Sequence, residues 1–546
     1  MSRRGRGVAL SALLVAAWLT VSLFGCPLSS DQAWGQDKPR YGGTFIVGSG
    51  GDPVTLNLST DFSTIDTLAA SSIYNMLVKS DSELNPQPDL AESWKVSDDG
   101  RTYTFNLVKN ATWHDGKPFT SADVTFTFGE VLKKYHPRGS VVLSVVDSIE
   151  APDPYTVVFK LKYPYDPLMK FIGNEGFIIA KHLYENTDIR KNPYNLKPVG
   201  TGPFVFKEWR KGSHITLERN PTYFKKGKPY LDKLIIKIVP DASSRMIAFE
   251  AKEIDYLYYV YLPASDVTRF KNRPGFVVSS QGHEDGPSIL LMTLNLRKAP
   301  FNNLKVRQAL AHAVDKRYIE EKADYGLGKP AIGPIASVTK WAFNPRITQY
   351  EFEPKKAEQL LDEAGYRKGP DGIRFKTSLT ADRGNFIAAK AAEIIRDYLG
   401  KIGIQVDLKL VDRATMVDAV YARWDFDMQV HGFGTGPDPA IGVARLYVSS
   451  NIKPVAFANA SGYANKEVDE LFALAERAPT VKQRADYYFK AQQVLANETP
   501  YIWLSEYGLQ SAWRDEFKGV HSWCARAYVS LGDDVWWVKG KETPSK

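Results

Sequence analysis

Two periods of hydrophobic and polar positions divide the chain. Toward the N-terminal side the period is mostly two. Residues 43–47 read as a strand, followed by a loop from Gly50 to Asn57. Residues 89–128 hold two alternating stretches around Asp98-Asp99-Gly100, a hairpin by period and turn chemistry. Trp94 and Val96 belong to its first strand, and Tyr103, Phe105 and Leu107 line one face of the second. Residues 113–118 read as a turn, after which Thr120 or Ser121 caps a helix carrying Val124 and Phe128. The run 198–257 has a specific order of parts: a turn with Gly200 and Gly202, strands at 204–206 and 215–217, a polar loop holding Asn220, Pro221, Tyr223 and Phe224, a strand at 234–239, and a helix.

Beyond residue 289 helical periods enter. An apolar strand over 290–296 carries Asn295 at its end, and Asn303 precedes a helix with Val306, Leu310, Ala313 and Val314 on one side. Pro354 opens a helix that contains Leu360 and Leu361 and closes at Gly365. A strand at 375–379, a helix over about 385–399, and alternation at Ile404, Val406, Leu408 and Leu410 form a β-α-β unit, which argues for an α/β lobe with a parallel sheet. Residues 421–430 alternate too: Trp424, Phe426, Met428 and Val430 point one way, and Asp425, Asp427, Gln429 and His431 point to a solvated face. The Gly/Pro-rich loop 432–439 follows, at the carboxyl end of that strand, where open α/β sheets gather ligands. A helix over 481–495 with Ala485, Phe489 and Val494 on its apolar side precedes a strand at 501–504.

Size and charge narrow the class. At 546 residues the chain is too long for one ordinary domain, and its 24% charged and 44% hydrophobic content is that of a soluble globular protein. Arg3, Arg4 and Arg6 precede an uncharged apolar stretch over 8–24, the pattern of an export signal. Two processing sites compete: Ala33-Trp34-Gly35, favoured here, giving a signal peptide of residues 1–35, and Leu23-Phe24-Gly25-Cys26, which would place a lipid anchor on Cys26. Either way the mature protein is periplasmic or extracytoplasmic. Cys524 then has no partner with which to form an intramolecular disulfide. Removing residues 1–35 takes the net charge from +8 to +6, spread over a long chain rather than clustered, which is no nucleic-acid signature.

Enzyme motifs are missing. There is no G-x-S-x-G, H-E-x-x-H or C-x-x-C. Gly326-Leu327-Gly328-Lys329 lacks the first glycine of a phosphate loop and is followed by Pro330, so an ATPase would be a separate protein. Gly432, Gly434 and Gly436 lead into Pro437-Asp438-Pro439, which cannot open a dinucleotide-binding helix. Asp425 with Asp427, and Asp427 with His431, read as solvated side chains rather than glycosidase carboxylates or metal ligands. No catalytic residue, cofactor or metal is expected.

The 198–257 run, the 89–128 block and the glycine-rich opening at 50–57 resemble the bacterial extracellular solute-binding proteins of family 5, the dipeptide-, oligopeptide- and nickel-type receptors of ABC importers. The resemblance extends from about Lys38 to Trp537. It implies an α/β fold of periplasmic-binding-protein type II (cluster C), with two lobes, a hinge and an extra α/β domain. It divides the chain into a discontinuous lobe I (38–72, 200–288 and 510–546), an extra domain (73–199) and lobe II (289–509), with the strands at 290–296 and 501–504 side by side at the hinge. The implied partners are a small organic solute, peptide-like or acidic, a membrane permease and separate ATPase subunits; no nucleic acid is implied, and the receptor is expected to be a monomer.

The same resemblance points to site residues. In dipeptide-binding relatives an arginine before a β-α-β helix holds the ligand carboxylate, a role that falls on Arg383 within one residue. The aspartate that holds the ligand amine falls near Thr435 or Gly436 here, and Phe433 stands where a tryptophan is usual, so an anionic or neutral ligand gains weight. Asp438, in the Asp-Pro turn, is the acid left to replace that anchor; Ala440 after Pro439 stands where nickel-binding relatives have a histidine. His431 and Gly434 belong to the same loop, Asn295 to the hinge strand, and Tyr74 and Trp341 are further aromatic candidates for the cleft. A ligand sensor, an exported hydrolase and an extracytoplasmic chaperone are the alternatives on this scaffold.

Overall fold

The computed structural model describes residues 38–538 apart from 62, 82–84, 137, 260–261, 281–287 and 521–531. The basic and apolar N-terminal stretch, both processing sites, Cys26 and Cys524 lie outside the described residues.

Three sheets organise the rest. The first runs Phe276–Ser279, Ser511–Arg514, Tyr256–Leu257, Thr44–Ser49, Lys233–Ile238, His214–Arg219 and Phe204–Arg210 in spatial order. Thr44–Ser49 is parallel to both its neighbours, so the strand nearest the N-terminus sits at the centre of a sheet completed by residues beyond 500. Its inward side chains, among them Phe45, Val47, Ile215, Leu217, Leu234 and Ile236, form one buried core. The predicted turn is where this sheet meets the next segment: a side chain on Gly200 would lie 1.8 Å from the carbonyl oxygen of Ile73, so only glycine permits the approach. His114 bonds to the backbone of the same turn, accepting from the Gly200 N–H at 3.2 Å.

The second sheet has four strands in the order Ala91–Val96, Thr102–Leu107, Thr156–Leu161 and Val146–Asp153. The expected hairpin pairs Trp94 with Phe105 and Val96 with Tyr103. Thr120 is the cap of the following helix, Ser121–Phe126, through a reciprocal capping box with Asp123.

The third sheet carries the order Lys329–Pro330, Tyr501–Glu506, Ser288–Leu294, Met428–Gly434, Phe375–Asp382 and Ile404–Val411. Phe375–Asp382, the helix Phe386–Lys401 and Ile404–Val411 make the predicted β-α-β unit, with Asn385 capping the helix. Asn303 likewise caps Leu304–Ala313, and Pro354 opens Pro354–Glu363. Ser288–Leu294 and Tyr501–Glu506 are hydrogen-bonded neighbours, Met292 opposite Ile502. In the first sheet Ser279 pairs with Ser511.

Two periodicity readings need correction. The alternation at 421–430 is a strand only from Met428 onward, and the strand continues to Gly434. Tyr421 and Ala422 end a helical turn, and Trp424 takes a left-handed φ of 54° that breaks the extended run. Of the residues read as solvated, Asp425 is exposed, but Gln429 and His431 are buried, because the helical segments Arg413–Val417 and Asp418–Ala422 cover that side of the sheet. The second correction concerns the helix Val481–Glu498. Its inward side carries Arg484, Tyr488, Ala491, Gln492 and Leu495, while Ala485, Phe489 and Val494 are only partly covered. An arginine and a glutamine in the core stripe hide the true face from a hydrophobic count, because their burial rests on hydrogen bonding rather than apolarity.

Candidate functional site

Three parallel strands of the third sheet end at one edge. Asp382 pairs with Val411, and Ala381 pairs with Val430. Arg383 and the pair Asp412-Arg413 therefore leave the sheet together, and the third strand parts from Phe375–Asp382 after Val430 but stays paired to Ser288–Leu294 as far as Gly434. A side chain on Gly432 would lie 2.4 to 2.8 Å from the Tyr507 side chain, which would have to shift to admit it.

Arg383 keeps its guanidinium in solvent, 64% exposed, with Asp412 Oδ2 4.0 Å away. Neighbouring acids are occupied. Asp382 is buried and accepts from the Gly384 N–H at 2.9 Å. Asp412 caps the Arg413–Val417 helix, accepting from Thr415 N at 3.0 Å and Oγ1 at 2.7 Å, and these bonds hold its carboxyl below the usual range.

Next along the edge an aromatic group forms. Phe457 stacks on His431, with ring centres 5.5 Å apart and planes 22° apart, and meets Phe433 edge-on at 6.1 Å. Phe457 holds a φ of 62°, rare for a bulky side chain. The exposed Arg413 lies over the Phe457 ring at 5.3 Å, and Arg445 over Phe433 at 5.7 Å. Arg445 also donates to the carbonyls of Gly434, at 3.2 Å, and Gly442, at 3.0 Å. His431 is buried and its Nδ1 has no hydrogen-bond partner; burial, then the charges of Arg413 and Arg445, push its pKa down to about 3. The imidazole is thus neutral near neutral pH.

The back of the loop is built differently. Asp438 is fully buried, caps Pro439–Gly442 through Ala440 N, and accepts two bonds from Arg484 Nη2 at 2.7 and 2.8 Å. Arg484 also donates to Asp166 Oδ2 at 2.9 Å and to the Ala475 carbonyl at 3.1 Å, and lies over Trp341 at 4.8 Å. Beside it Tyr163 donates to Glu476 at 3.1 Å. This network ties the loop to the segment that follows the four-stranded sheet.

The remaining expected residues are placed as follows. Thr435 is buried beside Gly434. Asn295 is buried, donating to the carbonyls of Trp424 and Phe426 at 3.1 and 2.9 Å, which fixes the bend before the Met428 strand. Tyr74 is buried in the core of the first sheet. Trp341 packs on Arg484 and, edge-on at 5.7 Å, on Tyr488. Asp438 has no oxygen left over for a ligand amine, because both oxygens are held by Arg484 and one also by Ala440 N. The structure thus gathers Arg383, His431, Phe433, Gly434 and Thr435 at one edge, and leaves Asn295, Tyr74, Trp341 and Asp438 in packing or bonding roles elsewhere.

Arg413, Arg445, Phe457 and Arg484 were not singled out from the sequence. Arg383 comes from the family resemblance, which does not reach Arg413, although both are cations just past a parallel strand. Arg484 sits at core spacing with Tyr488, Ala491 and Leu495, a charge that must find a buried partner.

Comparison with known proteins settles the class. Residues 85–454 match the model of the bacterial extracellular solute-binding proteins, family 5 (middle region). The chain belongs to this family. It is 32% identical to the oligopeptide-binding protein AppA of Bacillus subtilis, over 97% of this chain and 98% of that one. It is 28% identical to the glutathione-binding protein GsiB of Salmonella choleraesuis, over 84% and 88% of the two chains. The solved structure of Bacillus subtilis AppA in complex with a nonapeptide superposes with a TM-score of 0.77 at 31% identity, covering 92% of this chain and all of that one. The protein is a solute-binding receptor of the ABC-importer type with the two-lobed, mixed α/β fold of its family. Among the described residues no helix is long and apolar enough to cross a membrane, and no three His, Cys, Asp or Glu side chains come together as a metal site.

Proposed function

We propose that the receptor captures a small peptide-like solute at the carboxyl edge formed by Phe375–Asp382, Ile404–Val411 and Met428–Gly434, and delivers it intact to an ABC permease served by separate ATPase subunits. The observation that carries this reading is the gathering of exposed guanidinium groups, a glycine-rich loop and stacked aromatic rings at that edge, where nearby carboxylates are already bonded. Arg383 binds the solute carboxylate, and Phe433 with His431 forms an apolar wall. The relatives named for oligopeptides and glutathione put a peptide-class solute first.

In this reading lobe I comprises 38–72, 200–288 and 510–546, the extra domain 73–199 and lobe II 289–509. Solute held between the lobes favours the closed state, because only contacts made better in that state shift the equilibrium. Arg484 and Asp166 bond across the boundary this reading draws between the extra domain and lobe II. The protein acts as a monomer outside the cytoplasm, released after Gly35 or held by a lipid on Cys26, and catalyses nothing.

Isothermal titration with a panel of short peptides, followed by mass analysis of the recovered ligand, tests this reading. Saturable one-to-one binding with the peptide recovered whole is expected. Cleaved peptide would mean a hydrolase, and binding confined to unfolded chains would mean a chaperone.

A further inference from the structure

Arg413 lies outside the single-carboxylate arrangement just described, and its surroundings give it a use. It follows Asp412, the first residue past the end of the strand Ile404–Val411, beside the strand that ends at Asp382, just before Arg383; neighbouring strands stand roughly 4.8 Å apart. Two exposed guanidinium groups therefore share one short stretch of edge. The acid between them, Asp412, spends its oxygens on Thr415, and Asp382 and Asp438 are bonded elsewhere. Asp412 stays ionised 4.0 Å from Arg383, while Arg413 is exposed over the Phe457 ring.

Arg413 is also held in place. The Phe457 ring beneath its guanidinium orients the planar group without consuming its N–H fork, which stays available for a carboxylate. Phe457 adopts a left-handed backbone to reach that position, and strain of this kind persists where the surrounding structure demands it, often at ligand sites. Phe457 also stacks on His431, a buried imidazole with Nδ1 unbonded, a polar atom left unsatisfied in the wall of the same edge.

Resting on the proposal that the solute sits at this edge, we infer that Arg413 on its Phe457 platform binds a second carboxylate, so that with Arg383 the receptor selects solutes bearing two carboxylates. An acidic peptide has this chemistry: its terminal carboxylate goes to one arginine and a side-chain carboxylate, or a second terminal one, goes to the other. A free amine is not needed at the loop, in keeping with Asp438 being occupied.

Titrations of the full chain with glutathione and Glu-Glu, each against its diethyl ester, and with the neutral tripeptide Ala-Ala-Ala, test this. At least one acidic probe is expected to bind ten-fold or more tightly than its ester. Arg413→Gln should cost that probe ten-fold or more while leaving ester binding and the ligand-free melting temperature unchanged. Arg413→Lys, which keeps the charge and loses the fork, should fall between. Phe457→Ala should weaken the acidic probe less than Arg413→Gln does. Equal affinity for acid and ester, or an Arg413→Gln variant with unchanged affinity for the acidic probe, overturns the inference. Binding of Ala-Ala-Ala with no binding of either acidic probe overturns it and leaves the peptide-receptor reading standing. No binding of any probe overturns both.

Discussion

The two ends of one glycine-rich loop use arginine in opposite ways. At the front, Arg383 and Arg413 stand in solvent beside acids already bonded to backbone and hydroxyl groups. At the back, Arg484 is fully buried and divides its donors among Asp438, Asp166 and a carbonyl. A buried ion pair with every group satisfied has no capacity left for a ligand; breaking it strands a charge in a dry interior. An exposed guanidinium contributes little to stability, and its binding capacity is intact. The Asp-Pro turn, although it contains the loop's acid, is thus architecture, and the proposed recognition falls to the cations ahead of it.

The sharpest way to break this contrast is at its buried end. Asp438→Ala should lower the unfolding free energy by about 3–5 kcal/mol, because Arg484 loses its bidentate partner without gaining access to water. Denaturant titration measures this. A loss below about 1 kcal/mol would show that Arg484 re-pairs with Asp166 alone and that the two ends differ less than argued.

At the front the effects should separate cleanly. Arg383→Gln should weaken an acidic solute by about 1.5–3 kcal/mol, the scale of a charged hydrogen bond, and change stability by less than about 0.5 kcal/mol. Calorimetric titration and thermal unfolding on the same variant read the two quantities. A large stability loss with unchanged affinity would reverse the roles assigned to the two ends.

The smallest expected effect concerns pH. His431 has a pKa near 3 in the folded chain, below its unfolded value, so the unfolded state takes up the proton first as pH falls. Its neutral burial therefore supports the fold above the unfolded pKa, and that support is lost as pH drops from about 6.5 toward 3. His114, at about 4, and His136, at about 3, act in the same direction. Relative to its own stability at pH 7.5, His431→Gln should be about 1 kcal/mol less acid-sensitive than the parent at pH 5.5. Parallel pH profiles for the two proteins would mean that His431 is solvated in solution.

Much of this fold is legible in the chain because local patterns and tertiary packing agree. The hairpin around Asp98-Asp99-Gly100, the Asn303 and Asn385 caps and the β-α-β unit each announce themselves through period or turn chemistry. The failures share a cause. Arg484, Gln429, Gln492 and His431 are polar groups placed where a count of hydrophobic residues expects solvent, and only three-dimensional partners explain their burial. The site was half legible for the same reason. Arg383 and the loop could be found from strand ends and resemblance, whereas Phe457 reaches His431 from more than twenty residues away along the chain, through a backbone turn that no pattern signals.

The most direct test is a crystal structure of the mature protein with the solute it retains through purification. This account predicts a small molecule at the carboxyl edge, with a carboxylate bonded to the Arg383 guanidinium and the solute packed beside Phe433. A solute bound elsewhere, with Arg383 still in open solvent, would contradict it.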